Sequence, residues 1–290
     1  MNLLIRADSS SQIGLGHIMR DLVLAQRYPD ANITFACQDL SGHSMDRIPY
    51  PVHILKSNDP KELIELINAQ KIEMVIFDHY GIDVAFEKEI KEATGIIIMS
   101  LDDTYEKHHC DILLNHNISA NKNRYKGLVP TYCELQCGSD YTLIRDEFKN
   151  EKNVQREKIY DIFIAMGGAD TANITPEILK TLGEGLRVCV VTTTSNAHLS
   201  ELESYVNEKK NITLYINSND VAKLLHQSRF AIITPSVMVH EVLFMEIPFV
   251  AIKTADNQED MVAYLKNNGL DTVSYFEKGS FDSLLKKQYD

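Results

Sequence analysis

The stretch NLLIRADSSSQIGLGHIMRDLVLAQ, residues 2–26, carries the pattern from which the architecture of the chain can be inferred. It begins with a short apolar run, passes through small polar residues and two glycines, and ends with apolar residues at helical spacing. This order predicts a buried strand, a loop and an amphipathic helix, as expected where a strand leads into a helix in an α/β fold.

The same alternation of strand and helix continues along nearly the whole chain. In the first half, strands are predicted over NLLIRA, ITFAC, VHIL, EMVIFD, GIIIMSL and CDILLN, and helices after Gly16 and over PKELIELINAQ and AFEKEIKEA. In the second half, strands are predicted over DIFIAM, LRVCVVTT, ITLYI, FAIITPS and FVAIK, and helices over NDVAKLLHQS, VMVHEVLFME and NQEDMVAYLKNN. Apolar strands that alternate with helices are typical of parallel sheets covered on both faces.

A polar, charge-rich stretch from Arg145 to Tyr160 interrupts this alternation. We therefore predict an α/β protein with two Rossmann-like, doubly wound domains, over residues 1–150 and 151–290. In such a pair, a ligand usually lies in the cleft between the domains, beyond the carboxyl ends of the strands.

Composition and charge limit the class of function. Hydrophobic residues make up 44% of the 290 positions, yet no apolar run is long enough to cross a bilayer or to serve as a secretory signal. The net charge of −12 argues against nucleic acid or an anionic membrane as the main partner. We expect a cytoplasmic protein, a monomer or weak oligomer, that acts on a small molecule.

The five cysteines are too sparse for a disulfide scaffold, so reduced thiols are expected. His108, His109 and Cys110, with Cys133 and Cys137, are ligand types that could form a zinc site if the fold brought them together. The alternative is that these cysteines are small interior or surface residues. We predict no metal and no cofactor.

Two glycines and a histidine occupy the point where the first strand turns into the first helix. Gly14 and Gly16 allow the backbone to approach a ligand, and the helix opening near His17 offers N–H groups to an anion. The spacing is not the dinucleotide fingerprint, since Met19 stands at the third glycine position, and it is not a P-loop. A histidine that caps the helix or is merely exposed would also fit this position.

Polar side chains also follow the next strands of the first half. Asp78 and Tyr80 come at one strand end, and Asp102 with Asp103 at the next. Adjacent residues on a strand point to opposite faces, so at most one of this pair faces the cleft and no metal is inferred. Loops at strand ends are also polar because they face water. Each of these residues, taken singly, could therefore be a binding residue or only a solvated loop residue.

The second half has similar features. Gly167 and Gly168 follow a strand, where they permit either close approach to a ligand or a tight turn. Thr175 is predicted to be a helix N-cap. Ser236 leads into a helix that carries Glu241, a carboxylate placed to bind sugar hydroxyls or, alternatively, simply exposed.

Asn257 and Gln258 precede the last clear helix, where their amides could hydrogen-bond sugar hydroxyls or N-acetyl groups. The candidate catalytic residue is His17. The candidate substrate-binding residues are Gly14, Gly16, Arg20, Asp78, Tyr80, Gly167, Gly168, Ser236, Val237, Glu241, Asn257 and Gln258.

Taken together and in order, these segments resemble the UDP-sugar hydrolases of the pseudaminic acid pathway (PseG type). The resemblance is carried by RADSSSQIGLGHIMRDLVLA, DHYGID, HHCDILLN, GLVP, YTLIRDEF, MGGAD, the segment from Ser236 to Glu241 and NQE, in register from about residue 1 to residue 270. That family has the two-domain glycosyltransferase-B architecture, like the MurG transferase. The resemblance therefore implies two doubly wound domains that face each other across a cleft.

The resemblance also implies a reaction: hydrolysis of UDP-2,4-diacetamido-2,4,6-trideoxy-β-L-altropyranose to UDP and the free sugar, by inverting, metal-independent cleavage of the C1–O bond. The family's catalytic histidine falls on His17, its site tyrosine on Tyr80 and its substrate-contacting asparagine on Asn257. Glu241 matches the glutamate that holds the nucleotide ribose in the wider superfamily, although His240 stands where an asparagine is expected before it. We expect His17 to deprotonate the attacking water.

Two alternatives remain at this stage. A glycosyltransferase of the same fold would move the sugar to an acceptor, and its turnover would depend on that acceptor. A catalytically silent UDP-sugar-binding module would bind the nucleotide without releasing a product.

Overall fold

The computed structural model of the chain describes residues 1–10, 12, 13, 16–274, 276 and 279. The chain divides into two units, the first covering Met1–Leu143 and the second beginning at Ile144. Gly14, a candidate ligand-binding residue, lies outside the described residues. In the described part of the chain, no helix combines the length and the apolar character needed to cross a membrane.

The first unit is built around a seven-stranded parallel sheet in the order β3-β2-β1-β4-β5-β6-β7. Its elements are β1 (Asn2–Ala7), α1 (Gly16–Ala25), β2 (Asn32–Gln38), β3 (Val52–Leu55), α2 (Pro60–Gln70), β4 (Met74–Asp78), α3 (Val84–Thr94), β5 (Ile97–Leu101), β6 (Ile112–Asn115) and β7 (Glu134–Cys137). Short 3₁₀ helices cover Met45–Arg47, Lys122–Tyr125 and Ser139–Tyr141.

Both faces of this sheet are buried, as its continuous apolar strands require. Along β1, Leu4 packs in one hydrophobic cluster, whereas Leu3 and Ile5 pack in another. Because successive side chains of a strand point to opposite faces, the two clusters lie on the two sides of the sheet. Helix ends are defined locally: Asp59 and Asp83 accept hydrogen bonds from the first N–H groups of α2 and α3.

The second unit has a six-stranded parallel sheet in the order β10-β9-β8-β11-β12-β13. Its elements are α4 (Asp146–Lys152), β8 (Tyr160–Ala165), α5 (Thr175–Thr181), β9 (Val188–Thr192), α6 (Leu199–Asn207), β10 (Ile212–Ile216), α7 (Val221–His226), β11 (Ser228–Ile233), α8 (Val237–Phe244), β12 (Phe249–Ile252), α9 (Glu259–Asn267) and β13 (Thr272–Val273), with a 3₁₀ helix over Asp256–Gln258. Two parallel-sheet α/β domains were predicted, and the prediction is confirmed.

The structure differs from the sequence-based expectations in a few elements. The stretch expected to interrupt the pattern contains α4, which buries Phe148 and contacts α7. The N-cap prediction at Thr175 is wrong, because Thr175 is the first residue of α5. The carboxylate of Asp170, five residues earlier, accepts hydrogen bonds from the N–H groups of Ile174 and Thr175 instead. The Asp170 side chain thus accepts the hydrogen bonds that an N-cap side chain usually accepts, although Asp170 lies several residues before the helix.

Glu87, His108 and Asp102 form a buried charge cluster in the first unit. Glu87 accepts hydrogen bonds from Ser100 Oγ at 2.6 Å and from the His109 N–H at 2.5 Å, and it lies 2.7 Å from His108 Nδ1. His108 Nε2 faces Asp102 Oδ1 at 4.0 Å. Burial lowers the pKa of His108, but the carboxylates of Asp102 and Glu87 outweigh this effect and raise it to about 9.

A group with a raised pKa in the folded state stabilises the fold below its unfolded pKa, and this contribution is lost as the pH rises through the folded pKa. We therefore expect the free energy of unfolding to fall between pH 6.5 and about pH 9 by roughly 3 kcal/mol on account of His108. In His108→Gln this fall should be absent. Urea unfolding across this pH range tests the expectation, with His198→Gln, at a partly exposed histidine, as the control. Parallel profiles for wild type and His108→Gln would contradict it.

Candidate functional site

The candidate site of the first unit lies at the carboxyl ends of β1, β4 and β5. Helix α1 begins at Gly16, so His17 and Arg20 lie one turn apart on one face of it. Asp78 is the last residue of β4, which pairs with β1, and Asp103 follows β5 by two residues. The parallel sheet thus brings residues from three distant segments to one edge.

The carboxylate of Asp78 joins His17 to Arg20. His17 Nδ1 lies 2.6 Å from Asp78 Oδ1, and Arg20 Nε donates to Asp78 Oδ2 at 2.5 Å. Arg20 Nη2 donates to Asp78 Oδ1 and lies 3.1 Å from His17 Nδ1. An ionised carboxylate can only accept, so the hydrogen between His17 and Asp78 belongs on Nδ1, and the contact of Arg20 Nη2 with that nitrogen is not a hydrogen bond. This leaves Nε2 as the acceptor of a neutral imidazole.

Asp78 is buried, with 1% of its surface exposed, yet it stays ionised. Burial raises its pKa, but the charge and hydrogen bonds of Arg20, together with His17, outweigh burial and hold the pKa well below its ordinary value. The site therefore has a permanent negative charge next to the imidazole.

Asp21 is a second buried carboxyl in this group, and the sequence analysis missed it. Among the described residues, no donor hydrogen-bonds either of its carboxyl oxygens. Burial and the neighbouring Asp78 carboxylate raise its pKa well above the ordinary value, which favours the protonated form. The spacing of four residues from His17, which places both side chains on one helix face, was the available signal.

Tyr80 and Asp103 complete the group. The Tyr80 hydroxyl donates to Asp103 at 3.0 Å, and Arg20 Nη1 donates to the same carboxylate at 3.0 Å. The Tyr80 ring meets the His17 ring edge-on, with 4.9 Å between centroids. Partial burial of the hydroxyl and the Asp103 carboxylate raise the pKa of Tyr80 to about 12, so the phenol keeps its proton at neutral pH.

Asp102 has a structural role instead. It accepts hydrogen bonds from the N–H groups of Thr104, Tyr105 and Glu106 and from the Tyr125 hydroxyl at 2.7 Å. Asp103, and not Asp102, is therefore the member of the aspartate pair that contacts Arg20 and Tyr80.

A buried ion pair supports the edge of the sheet beside this group. Arg6, with 0% exposure, donates two hydrogen bonds to Asp8, at 2.5 and 2.9 Å. His79 Nε2 lies 3.0 Å from Asp8, and His79 Nδ1 accepts from the Gly81 N–H at 2.9 Å. The Gly81 bond fixes the hydrogen of His79 on Nε2, so His79 donates to Asp8 and ties the loop after β4 to the end of β1.

In the second unit, the glycine loop follows β8. Gly167 has φ +82°, a left-handed conformation that favours glycine. The carbonyl of Gly168 accepts hydrogen bonds from the Thr193 N–H, Thr193 Oγ1 and Thr192 Oγ1, at 3.0, 2.9 and 3.1 Å. The loop is therefore held against the end of β9, the strand beside β8.

Helix α8 follows β11, the strand on the other side of β8. Ser236 is its N-cap but makes no side-chain capping hydrogen bond, and Val237, the first helical residue, is 43% exposed. Five residues after the cap, Glu241 is 1% exposed and accepts two hydrogen bonds from Arg145, at 2.6 and 2.9 Å. Burial raises the pKa of Glu241, and Arg145 opposes that rise. Glu241 is thus paired with Arg145 and is not an exposed glutamate.

Asn257 and Gln258 lie in the 3₁₀ turn after β12. Gln258 Oε1 accepts from the N–H groups of Thr254 and Ala255, at 2.8 and 3.2 Å, so its amide shapes the turn. Asn257 is exposed. Because β8, β11 and β12 are neighbours in the sheet, the glycine loop, the start of α8 and this turn follow the carboxyl ends of adjacent strands.

The structure therefore brings His17, Arg20, Asp78 and Tyr80 together in the first unit, with Gly16 at the start of their helix. Apart from Gly14, which lies outside the described residues, the remaining candidates lie in the second unit, in the glycine loop, in the first turns of α8 with its N-cap, and in the 3₁₀ turn after β12. Arg145 and Asp21 are partners that the sequence analysis did not identify, and Asp103 was considered there only as one member of a pair with Asp102. Across the described residues, no three His, Cys, Asp or Glu side chains are placed to hold a metal ion.

Curated proteins similar to this chain include one close relative. Over 269 residues, the chain is 46% identical to the UDP-2,4-diacetamido-2,4,6-trideoxy-β-L-altropyranose hydrolase of Campylobacter jejuni, covering 93% of this chain and 97% of that protein. It is 24% identical to the uncharacterized protein MJ1062 of Methanocaldococcus jannaschii, over 97% of this chain and 62% of that protein. It is 21% identical to the spore coat polysaccharide biosynthesis protein SpsG of Bacillus subtilis, over 89% and 79%. No protein-family model matches the chain.

Solved structures with the same fold include glycosyltransferases. MurG of Acinetobacter baumannii matches with a TM-score of 0.65 at 11% identity, over 100% of this chain and 90% of that chain. HepE of Anabaena, in complex with UDP and glucose, matches with a TM-score of 0.63 at 9% identity, over 100% and 90%. At these identities the likeness concerns the fold alone, and it confirms the glycosyltransferase-B-like fold class.

The glycine loop generates a stability prediction. Gly167→Ala puts a Cβ on a left-handed backbone and should lower the free energy of unfolding by about 1–2 kcal/mol. Gly168→Ala should also destabilise, because its Cβ would lie 3.0 Å from Thr193 Cγ2. Gly185→Ala, which meets no atom within 4 Å, is the control. Urea unfolding measures all three, and equal stability of Gly167→Ala and Gly185→Ala would refute the argument.

Proposed function

The chain belongs to the family of the UDP-2,4-diacetamido-2,4,6-trideoxy-β-L-altropyranose hydrolases, and on that premise we propose that it hydrolyses this UDP-sugar to UDP and 2,4-diacetamido-2,4,6-trideoxy-L-altrose. The proposed substrate rests on 46% identity along 93% of the chain. The proposed chemistry rests on one geometric observation, the 2.6 Å contact that pairs His17 Nδ1 with the ionised Asp78. Because Nδ1 carries its hydrogen toward Asp78 in this pairing, Nε2 is the ring nitrogen that can accept a proton.

His17 acts as the general base in this proposal. None of the described residues hydrogen-bonds Nε2, so a water molecule can donate its hydrogen there. When Nε2 takes the proton, the imidazole becomes cationic, and the adjacent Asp78 carboxylate stabilises the new charge. An imidazole supported in this way is suited to proton transfer near neutral pH.

The water attacks C1 of the sugar from the face opposite the UDP group. Its oxygen forms a bond to C1, its proton moves to His17 Nε2, and the bond between C1 and the phosphate oxygen breaks with its electron pair leaving on UDP. Attack opposite the leaving group inverts the configuration at C1. Tyr80 has 67% of its surface exposed, and its hydroxyl, whose hydrogen goes to Asp103, can accept a hydrogen bond from the sugar.

The second unit binds the nucleotide in this proposal. The N–H groups in the first turn of α8, where Ser236 provides no side-chain cap, and the glycine loop at Gly167 suit the diphosphate. These neutral donors can stabilise the departing charge without a metal ion, and we propose a metal-independent reaction. Glu241 would accept from the ribose hydroxyls, held in place by Arg145.

Asn257 is exposed in the turn after β12 and can present its amide to an N-acetyl group of the sugar. Gln258 supports the same turn through its hydrogen bonds to Thr254 and Ala255. In this proposal Asn257 contacts the sugar, and Gln258 holds the turn that positions Asn257.

The first test is UDP release from the proposed substrate, with a metal chelator present and no sugar acceptor. Wild type should turn over, and His17→Asn should lose activity by about 10²–10⁴-fold, the usual contribution of a positioned base. His198→Asn, which changes the partly exposed N-cap histidine of α6, is the matched control. Activity of His17→Asn within a few fold of wild type would refute the assignment, and turnover that requires an acceptor would indicate a transferase.

The second test separates the two carboxylates that bind Arg20. Asp78→Asn removes the charge beside His17 and should lower kcat by about 10²-fold or more, with a smaller change in KM. Asp103→Asn leaves the His17 to Asp78 contact intact and should have the smaller effect on kcat. Circular dichroism establishes that both variants fold. A larger loss of kcat in Asp103→Asn than in Asp78→Asn would contradict the proposed pairing.

A further inference from the structure

Two cysteines face each other at the edge of the first unit that is opposite the candidate site. Cys110 precedes β6 by two residues, and Cys133 comes immediately before β7. Strands β6 and β7 are parallel neighbours, so both cysteines lie at the amino ends of the strands. Their sulfur atoms are 3.7 Å apart. The residues described above as the candidate site lie at the carboxyl ends of the same sheet.

The two thiols differ in accessibility and in acidity. Cys110 is buried, with 1% exposure, whereas Cys133 is partly exposed and follows Tyr132, which is 58% exposed. The Cys110 thiol, by hydrogen-bonding to Cys133, lowers the pKa of Cys133, and the same contact together with burial raises the pKa of Cys110. The charged groups around the pair are His108, which favours the Cys133 thiolate, and Asp111 and Glu87, which oppose a thiolate. The accessible cysteine is therefore the more acidic one.

We propose that Cys110 and Cys133 are a redox-active pair that small disulfides such as oxidised glutathione convert into an intramolecular disulfide. In a disulfide the sulfur atoms are about 2 Å apart. Rotation of the partly exposed Cys133 side chain toward Cys110 can close most of the remaining gap. Cys37, Cys137 and Cys189 are all buried, so Cys133 is the cysteine that a dissolved disulfide reaches first.

The reaction proceeds in two exchange steps. The Cys133 thiolate attacks one sulfur of oxidised glutathione, forms a mixed disulfide and releases one glutathione thiolate, which takes up a proton. Cys110 then loses its proton and attacks the Cys133 sulfur, which releases the second glutathione. Two protein thiols are oxidised to one disulfide, and one oxidised glutathione is reduced to two molecules of glutathione.

The disulfide would link the amino ends of β6 and β7. It would close the connection of residues 111–132, which contains Tyr125, the residue that hydrogen-bonds Asp102. A bond across a loop of this length stabilises a fold by restricting the unfolded chain. We therefore expect oxidation to raise the melting temperature by about 5 °C. Because the disulfide lies away from His17 and Asp78, we expect kcat to stay within twofold of that of the reduced enzyme.

The test is disulfide mapping of the folded full chain after equilibration with oxidised and reduced glutathione at graded ratios. Trypsin cleaves after Lys107, Lys122, Lys126 and Arg145, so the expected product is peptide 108–122 linked to peptide 127–145. The second peptide contains both Cys133 and Cys137. Cys137→Ser should therefore retain the link, and Cys133→Ser should lose it.

Cys110→Ala gives an independent readout, because it should stop the reaction at the mixed disulfide and accumulate glutathione on Cys133. In wild type, this intermediate should decay into the internal disulfide. If both cysteines stay reduced at the most oxidising ratio, or if wild type accumulates the mixed disulfide like Cys110→Ala, the proposal is wrong. A link that persists in Cys133→Ser and disappears in Cys137→Ser also overturns it.

Discussion

An ionised carboxylate cannot stay in a protein interior without partners, and the buried charge of Asp78 sets the arrangement of the first unit's site. Arg20 supplies the compensating charge, and His17 supplies a further hydrogen bond. The same guanidinium continues to Asp103, and Asp103 in turn receives the Tyr80 hydroxyl. Removing the charge of Asp78 would therefore take from His17 its carboxylate partner and from Arg20 one of its two carboxylate partners.

The fold and part of the site could be predicted from sequence, because they depend on local patterns. The apolar runs gave the strands, and the parallel connections placed His17, Asp78 and Tyr80 at one edge of a sheet. Which of Asp102 and Asp103 serves the site could not be predicted, because the path of the chain after β5 decides it. The pairing of Arg145 with Glu241 joins residues 96 positions apart and has no local signal.

That pairing affects how Glu241 could serve a ligand. A carboxylate with two hydrogen bonds from one guanidinium keeps lone pairs for further donors, while its position is already fixed. Arg145 also contacts Glu147 at 2.6 Å, which balances the positive charge locally. Pre-positioning of this kind reduces the side-chain entropy lost when a ligand binds.

The protonated form favoured at Asp21 has a consequence for which side chain is its closest chemical equivalent. A neutral carboxyl next to the Asp78 carboxylate resembles an asparagine in size, shape and polarity more than it resembles a charged aspartate. An asparagine is therefore a close isostere of the side chain at residue 21. The neighbouring Arg20 has no neutral equivalent, because it is bound by two carboxylates that need its charge.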